Sequence, residues 1–418
     1  MCACSIRPWC RRRFQLPFWF RLMHSAAHYC SAAFLEALMQ AHAPERAIRV
    51  HEVSPLPLDN SASILVVLTA GQTNRPVGHF GLRVTFEAQG ELQTRDMVLK
   101  LKPPGREVSA MLGSLAQACG GELAAVYPPF ATRTGFYHTH QRELQVYAAH
   151  GRAALMPTIW GLHHDEAHEV HAILMEYLAD VELLNSVMTP AHWTDEHLRA
   201  ALGALAEWHA AHLQPGHSRT AWPDQPSEAY MQALSPLCQA LLHNAATHFP
   251  TLYDATNVAD LQQAIRAIPE YWAELAKHPK TLIHNDLNPR NTCFRRTALG
   301  LQLCAYDWEL ATYHVPQYDV VELLSFVLDA DRYHLRPVYL EFYRQQLQAR
   351  TGLFGNAEEF NRVAGLAALD FGLHRLGMYL MAHTVSSYPF LPRVVQSYFN
   401  TLAQLQPLRA QVPVVQAS

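Results

Sequence analysis

The stretch 281–309, TLIHNDLNPRNTCFRRTALGLQLCAYDWE, concentrates polar residues whose types and spacing could support chemistry. Asp286 lies in a polar loop after the apolar TLI, and Asn291 ends that loop five residues later. Two short strands around the turn TALG then predict a hairpin, and antiparallel strands of similar length return the chain to its starting level. We therefore expect Asn291, entering the first strand, and Asp307, leaving the second, to lie side by side.

This arrangement suits a metal-assisted transfer of a phosphoryl group. Carboxylate and amide oxygens are the ligands that a hard cation such as Mg²⁺ prefers. Phosphoryl transfer needs a metal ion on the phosphate oxygens and a carboxylate that orients the attacking hydroxyl. A single Asp in a turn is commonplace, because Asx turns and caps use the same residue. The agreement of spacing, residue types and intervening hairpin favours the phosphoryl-transfer interpretation.

The strings HNDLNPRN and AYDWE resemble the paired catalytic and metal motifs of the aminoglycoside phosphotransferase and choline kinase superfamily. The chain is also similar to the insect ecdysteroid-kinase-like branch of that superfamily. The resemblance spans residues 30–385 and implies that Asp286 is the catalytic Asp, that Asn291 and Asp307 hold Mg²⁺, and that His284 supports the loop. It implies transfer of the γ-phosphate of ATP to a hydroxyl group of a small molecule.

The same template requires a lysine on a strand, to contact the phosphates of ATP. In DMVLKLKPP, strand alternation puts Val98, Lys100 and Lys102 on one face. The resemblance selects Lys100, three residues before Pro103, and Lys102 is the alternative. The alternative interpretation is that this lysine has no function and lies on a solvated face of an edge strand.

The lysine needs a carboxylate partner, and the nucleotide needs a site for its base. Glu143 in RELQVY matches the helix pattern of the family, and Glu107 is the weaker alternative. The segment 158–178 predicts a hairpin, after which the resemblance places backbone groups of Glu176 and Leu178 at the adenine edge. An ordinary strand end would have the same sequence.

One part of the chain departs from the kinase pattern. LDNSASILV has no glycine-rich loop over the phosphates, and Ser61 and Ser63 are the candidates to supply hydrogen bonds there. This departure leaves open a pseudokinase or scaffold that binds nucleotide without turnover. The sequence contains no HRD, DFG or APE motif of a protein kinase.

The order of predicted elements indicates an α+β protein. Strands are predicted at 62–70, 78–89 and 95–103, and mostly helical patterns follow residue 178. The resemblance implies a bilobal, protein-kinase-like fold with an antiparallel-sheet N-lobe and a mostly helical C-lobe. We expect a disordered tail over 1–22, a nucleotide-binding N-lobe over 23–178 and a C-lobe over 179–418, which holds the catalytic loop, metal site and acceptor pocket.

The distribution of chain length favours a small-molecule acceptor. Only about ten residues separate Asp307 from the helix expected near Tyr318, which is too few for the peptide platform of a protein kinase. Helical patterns instead fill the stretch from Leu178 to His284, and helices around a cleft suit a compact ligand.

Acidic residues near these motifs leave two interpretations open. They either favour a cationic acceptor or serve as helix caps and structural ion-pair partners; they are Glu309, Asp319 and Glu322. Four histidines of the 158–178 hairpin predict a solvated tip rather than a metal site; they are His163, His164, His168 and His171.

Composition excludes several classes of partner. The 418 residues carry a formal net charge of −4 and only 16% are charged, so there is no basic footprint for nucleic acid. No run of eighteen apolar residues predicts a membrane span, and the N-terminus lacks the pattern of a signal peptide. The eight cysteines form no CxxC pair, which favours free thiols in the cytoplasm. Nothing in the sequence indicates the oligomeric state.

Overall fold

The computed structural model of the chain describes residues 26–58, 77–166, 168–214 and 222–406. The strand expected at 62–70 lies outside these ranges, and so do the candidate phosphate-loop residues Ser61 and Ser63.

A five-stranded antiparallel sheet forms the N-terminal half. Its order is β1-β2-β3-β5-β4, and its strands are β1 Arg49–Leu56, β2 Gly78–Ala88, β3 Glu91–Lys102, β4 Ile159–Asp165 and β5 Val170–Glu176. The two described strands expected before residue 103 and the 158–178 hairpin are present. Strand β1 was not predicted, because Pro55 argues against a strand. Pro55 is tolerated there because β1 is an edge strand, where a missing N–H removes no ladder bond.

Five helices accompany the sheet in the N-terminal half. They are α1 Ala26–Tyr29, α2 Ala32–His42, α3 Gly105–Cys119, α4 Gly121–Val126 and α5 Thr139–His150. Helix α2 buries Leu35 and Leu38 together with Val84, Phe86 and Leu99 of the sheet. Helices α3 and α4 were not predicted, since the glycines at and between them weaken the helical pattern.

Within the described residues, nine further helices form the C-terminal half. They are α6 Asp195–Ala211, α7 Glu228–His248, α8 Ala255–Arg266, α9 Ile268–Leu275, α10 Gln317–Val327, α11 Arg336–Thr351, α12 Ala357–Phe371, α13 Gly377–Val385 and α14 Leu391–Leu405. A π-helical turn, Gly372–Leu376, joins α12 to α13. The stretch 257–278, whose apolar periodicity predicts one helix, forms two helices, because Pro269 cannot donate to the preceding turn and lies at the start of α9.

Four short strands lie within the helical half. Strands β6 Thr281–Ile283 and β9 Thr312–His314 pair with each other. The predicted hairpin is formed by β7 Thr292–Thr297 and β8 Gly300–Ala305, with Thr292 opposite Ala305. This register brings the residues just before β7 and just after β8 to the same end of the hairpin.

The cores of the two halves are unequal. The sheet and α2 share a small core, whereas residues of α3, α4 and α5 belong to the large core of the helical half. Helix α3 packs on α13, and α4 packs on α7. The α+β class and the bilobal, kinase-like plan are confirmed. Among the described helices, none has the length and hydropathy needed to cross a membrane.

Candidate active site

A cavity of about 480 Å³ lies between the sheet and the helical half. Strands β2 and β3 line one side, and the chain leaving β5 lines one end. The loop after β6 and helix α13 line the other side. Among the residues predicted for the site, those that line this cavity are Lys100, Glu176, Leu178, Asp286, Asn291 and Asp307.

Two lysines of β3 converge on one carboxylate. Lys100 Nζ lies 2.9 Å from both carboxylate oxygens of Glu143 on α5, and 2.6 Å from Asp307 Oδ1. Lys102 Nζ contacts the same Glu143 carboxylate and lies 2.6 Å from Glu309 Oε2. The expected contact between Lys100 and Glu143 is present, and the alternative lysine reaches Glu143 as well. Two ammonium groups thus meet three carboxylates.

This cluster of five charges shifts the pKa values of its members. Burial disfavours the charged form of Lys100, but Asp307, Glu143 and Glu309 together hold its pKa well above the ordinary value. Burial also disfavours the ionised form of Asp307, yet Lys100 and Lys102 keep its pKa below the usual range. Burial raises the pKa of Glu309 to about 7, against the opposing charge of Lys102. Lys100 and Asp307 therefore stay charged at neutral pH.

The loop that carries Asp286 is built on carboxylates of α10. Asp319 accepts hydrogen bonds from the backbone N–H groups of His284 at 2.7 Å and Asn285 at 2.9 Å. Glu322 accepts from the N–H of Leu287 at 3.0 Å. Asn285 adopts the left-handed conformation with φ 61°, which turns the chain at this point. Three backbone N–H groups on either side of Asp286 are thereby held in place.

His284 connects this loop to the end of β8. Its side chain is fully buried, and its Nε2 lies 2.9 Å from the carbonyl oxygen of Tyr306. Its ring packs against Trp308, with the ring centroids 4.6 Å apart. The imidazole therefore holds the loop of Asp286 beside the residue that precedes Asp307.

Asn291 and Asp307 occupy the same end of the hairpin. The backbone N–H of Tyr306 donates to the carbonyl of Asn291 at 3.0 Å, and Asp307 follows directly with φ 67°. Asn291 Nδ2 donates to Asp286 Oδ2 at 2.8 Å, so the amide oxygen is the atom that can face a cation. The side chain of Asp307 is 31% exposed. An amide oxygen and an ionised carboxylate fit a hard cation such as Mg²⁺.

Glu176 and Leu178 lie at the end of the cavity where β5 leaves the sheet. The Glu176 carboxylate accepts from the N–H of Thr158 at 2.6 Å and pairs with Arg295. The adjoining Tyr177 is fixed by its own N–H, which donates to Asp96 O at 3.0 Å. This segment is a rigid strand end whose backbone borders the cavity.

A family model describes most of this arrangement. The model of the phosphotransferase enzyme family matches residues 88–354, which include both lysines, Glu143, the Asp286 loop and Asp307. The chain belongs to the phosphotransferase enzyme family. No curated protein matches the sequence.

Solved structures similar to this phosphotransferase include an ethanolamine kinase, a choline kinase and an aminoglycoside phosphotransferase. An ethanolamine kinase of Plasmodium vivax is 11% identical with a TM-score of 0.42, covering 85% of this chain and 81% of its own. A choline kinase of Cryptosporidium parvum is 10% identical with a TM-score of 0.46, covering 86% and 90%. A thermostable mutant of the aminoglycoside phosphotransferase APH(4)-Ia is 16% identical with a TM-score of 0.37, covering 86% and 95%. Similarity at these levels says nothing about the acceptor of this chain.

Sequence analysis missed two residues of the phosphotransferase that contact Asp286. Arg375, in the π-helical turn, lies 2.9 Å from Asp286 Oδ1, and the hydroxyl of Tyr379 on α13 contacts the same oxygen. Their spacing of four residues puts both side chains on one helix face. An Arg and a Tyr so placed within the mostly apolar GLHRLGMYLM were the available signal.

The three acidic residues noted near the motifs have structural partners. Asp319 and Glu322 are fully buried and bind loop N–H groups, and Glu309 is buried against Lys102. The structural interpretation of these three residues therefore replaces the idea that they attract a cationic acceptor.

Proposed function

We propose that the protein transfers the γ-phosphate of ATP to a hydroxyl group of a small molecule, with Mg²⁺ as the metal. The observation that carries this proposal is the convergence of four groups on one cavity: Asp286, Asn291, Asp307 and the Lys100–Glu143 pair. Phosphoryl transfer requires little covalent chemistry from a protein, so positioning and charge stabilisation are what these groups must provide.

Asp286 is the residue that we assign to the acceptor. Its carboxylate accepts a hydrogen bond from the attacking hydroxyl and takes its proton. The acceptor oxygen forms a bond to the γ-phosphorus while the bond from that phosphorus to the leaving oxygen of ADP breaks. Asn291, which donates to Asp286 Oδ2 at 2.8 Å, and Arg375 hold the carboxylate in one orientation.

Asn291 and Asp307 are the residues that we assign to Mg²⁺, for the reasons of donor chemistry given above. When bound, the metal ion supplies positive charge to the phosphate oxygens. Asp307 carries the anionic charge of this pair, and its lowered pKa keeps it ionised at neutral pH.

Lys100 is the residue that we assign to the phosphates of ATP, with Glu143 holding its ammonium group. The strand end at Glu176 and Leu178 is proposed to bind the adenine edge through backbone groups. Ser61 and Ser63 stay candidates for the phosphate loop. The division into an N-lobe and a C-lobe at residue 178 also stays a proposal. We place the reaction in the cytoplasm.

The segment between Asp307 and α10 is consistent with a small-molecule acceptor. This segment consists of two short elements: the turn Trp308–Leu310 and strand β9, which pairs with β6. Leu310 is buried, and its backbone carbonyl accepts a hydrogen bond from Asn285 Nδ2 of the Asp286 loop at 2.9 Å. This segment is part of the core and offers no platform for an extended peptide.

The proposal is tested by ADP release with Mg²⁺ and a panel of hydroxylated metabolites. We expect acceptor-dependent ADP formation by the wild type and a loss of about a hundredfold in the Asp286→Asn variant. Nucleotide binding by both proteins without turnover by either would contradict the proposal and fit the scaffold alternative.

A further inference from the structure

The part of the cavity next to Asp286 has apolar walls. We call these residues the acceptor wall: Met111 and Leu115 of α3, Phe136, and Met378 and Ala382 of α13. Arg375 and Tyr379, which contact Asp286, belong to the same helical stretch as Met378 and Ala382. A hydroxyl group that reaches Asp286 must therefore bring the rest of its molecule against the acceptor wall.

Each carboxylate that lines the described part of the cavity already faces a cation. Asp286 pairs with Arg375 at 2.9 Å, Asp307 with Lys100 at 2.6 Å, and Glu309 with Lys102 at 2.6 Å. Glu176 pairs with Arg295. An ammonium group on the acceptor would have to displace one of these cations to gain a carboxylate partner.

Two of the aromatic rings that line the cavity, those of Phe136 and Tyr379, already have a guanidinium beside them. The Arg375 guanidinium lies 5.1 Å from the ring centroid of Phe136 and 5.5 Å from that of Tyr379. The Arg290 guanidinium lies 5.6 Å from the centroid of Tyr379 and 5.3 Å from that of Phe390. A quaternary ammonium group is attracted by an aromatic face, but a guanidinium already beside the same ring repels it. These rings are therefore poor sites for a second cation.

Arg290 adds positive charge to this end of the cavity. Its guanidinium donates to Asn288 Oδ1 at 3.1 Å and to the Tyr379 hydroxyl at 3.3 Å. Within the part of the chain that the structure describes, no carboxylate forms an ion pair with Arg290. The charge next to the acceptor wall is thus unfavourable for a cationic molecule.

From this charge pattern and the apolar walls, we propose that the acceptor is a predominantly apolar alcohol that carries no positive charge. This inference rests on the proposed function, because it names the class of molecule whose hydroxyl meets Asp286. Burial of its apolar part against the acceptor wall supplies the binding free energy. A polyamine-like sugar or a quaternary ammonium alcohol fits this site poorly.

The test compares two probes of equal length that differ in charge. Octanol and aminooctanol both carry one primary hydroxyl, and only the second is cationic. We expect kcat/KM for phosphorylation of octanol to exceed that for aminooctanol by at least about tenfold. Equal values, or a preference for aminooctanol, would overturn the inference. Binding of each probe in the presence of a non-hydrolysable ATP analogue is measured as well, and absence of octanol binding would also overturn it.

A matched pair of variants examines the wall itself. Met111 lines the cavity from the half-buried face of α3. Met111→Glu introduces a carboxylate there, and Met111→Gln is a control of nearly the same shape. We expect the glutamate variant to raise the relative preference for aminooctanol by about tenfold and the glutamine variant to leave it unchanged. Equal preferences in both variants would show that the acceptor does not contact this wall.

Failure of the inference can be distinguished from failure of the proposed function. Phosphorylation of aminooctanol or choline in preference to octanol would refute the apolar acceptor and leave the phosphotransferase proposal standing. If the wild type showed neither Mg²⁺-dependent ATP binding nor transfer to any alcohol, both the inference and the proposed function would be refuted.

Discussion

Arg375 donates a hydrogen bond to Asp286 Oδ1 at 2.9 Å across 89 residues of sequence. Burial disfavours the charge on Arg375, but Asp286, Tyr379 and Glu322 together more than offset this and raise the pKa of the guanidinium. Both side chains are largely buried, at 6% and 16% exposure. The carboxylate proposed to orient the acceptor is therefore itself oriented by the turn between α12 and α13.

The Asp286–Arg375 pair predicts different stabilities for two inactive variants. Asp286→Asn keeps an acceptor for Arg375, whereas Asp286→Ala leaves a buried guanidinium without its carboxylate. We expect both to lose activity, and Asp286→Ala to unfold more easily than Asp286→Asn by about 3 kcal/mol. Denaturant unfolding of the two variants measures this difference, and equal stabilities would show that the pair does not hold the loop.

The two lysines of β3 predict separable defects. Both lysines line the cavity, but only Lys100 contacts Asp307, whereas the Lys102 side chain is 2% exposed and lies between Glu143 and Glu309. We expect Lys100→Met to lower kcat/KM for ATP by about a hundredfold, and Lys102→Met to lower it much less. Lys102→Met should lower the free energy of unfolding by about 3 kcal/mol, since two buried carboxylates lose a cation. Reversal of the two phenotypes would assign the phosphates to Lys102.

The metal site predicts unequal effects of its two ligands. Asp307 carries a charge that the Asn291 amide lacks, so its loss weakens cation binding more. Titration of Mg²⁺ at fixed nucleotide should give a larger rise in the apparent Kd for Asp307→Ala than for Asn291→Ala. Unchanged Mg²⁺ dependence in Asp307→Ala would remove this residue from the metal site.

Glu309 predicts a pH dependence of stability. Its pKa is about 7 in the folded protein, against an ordinary value of 4.5, so the native state binds more protons than the unfolded state between these pH values. The contribution of Glu309 to the free energy of unfolding is therefore fully present below about pH 4.5 and is lost as pH rises through about 7. The total change is about 3 kcal/mol.

Glu309→Gln removes this titration while keeping a hydrogen-bonding group beside Lys102. We expect the difference in free energy of unfolding, wild type minus variant, to fall as pH rises from about 5 to about 8. A constant or rising difference would mean that the charge of Lys102 outweighs burial.

The local part of the site was predictable because its residues are close in sequence. The strings HNDLNPRN and AYDWE flank one hairpin, and the antiparallel register of β7 and β8 carries Asn291 to Asp307. Strand alternation likewise put Lys100 and Lys102 on one face. Short-range geometry of this kind follows from spacing alone.

The long-range part could not be read from spacing. Nothing in a linear pattern links Arg375 to Asp286, because their contact depends on how α12 and α13 pack on the helical core. The break of the 257–278 helix had a local signal in Pro269, but apolar periodicity continues through it. The burial of Asp319 and Glu322 under the loop also depends on packing, so sequence left their role open.

The destination of the γ-phosphate tests the central claim most directly. The protein is incubated with Mg²⁺, ATP labelled at the γ-phosphate, hydroxylated small molecules and a peptide library in one mixture, with Asp286→Asn as control. We predict that the label appears on a small-molecule alcohol with the wild type and is nearly absent with the variant. Label on peptides with none on a small molecule would contradict the account.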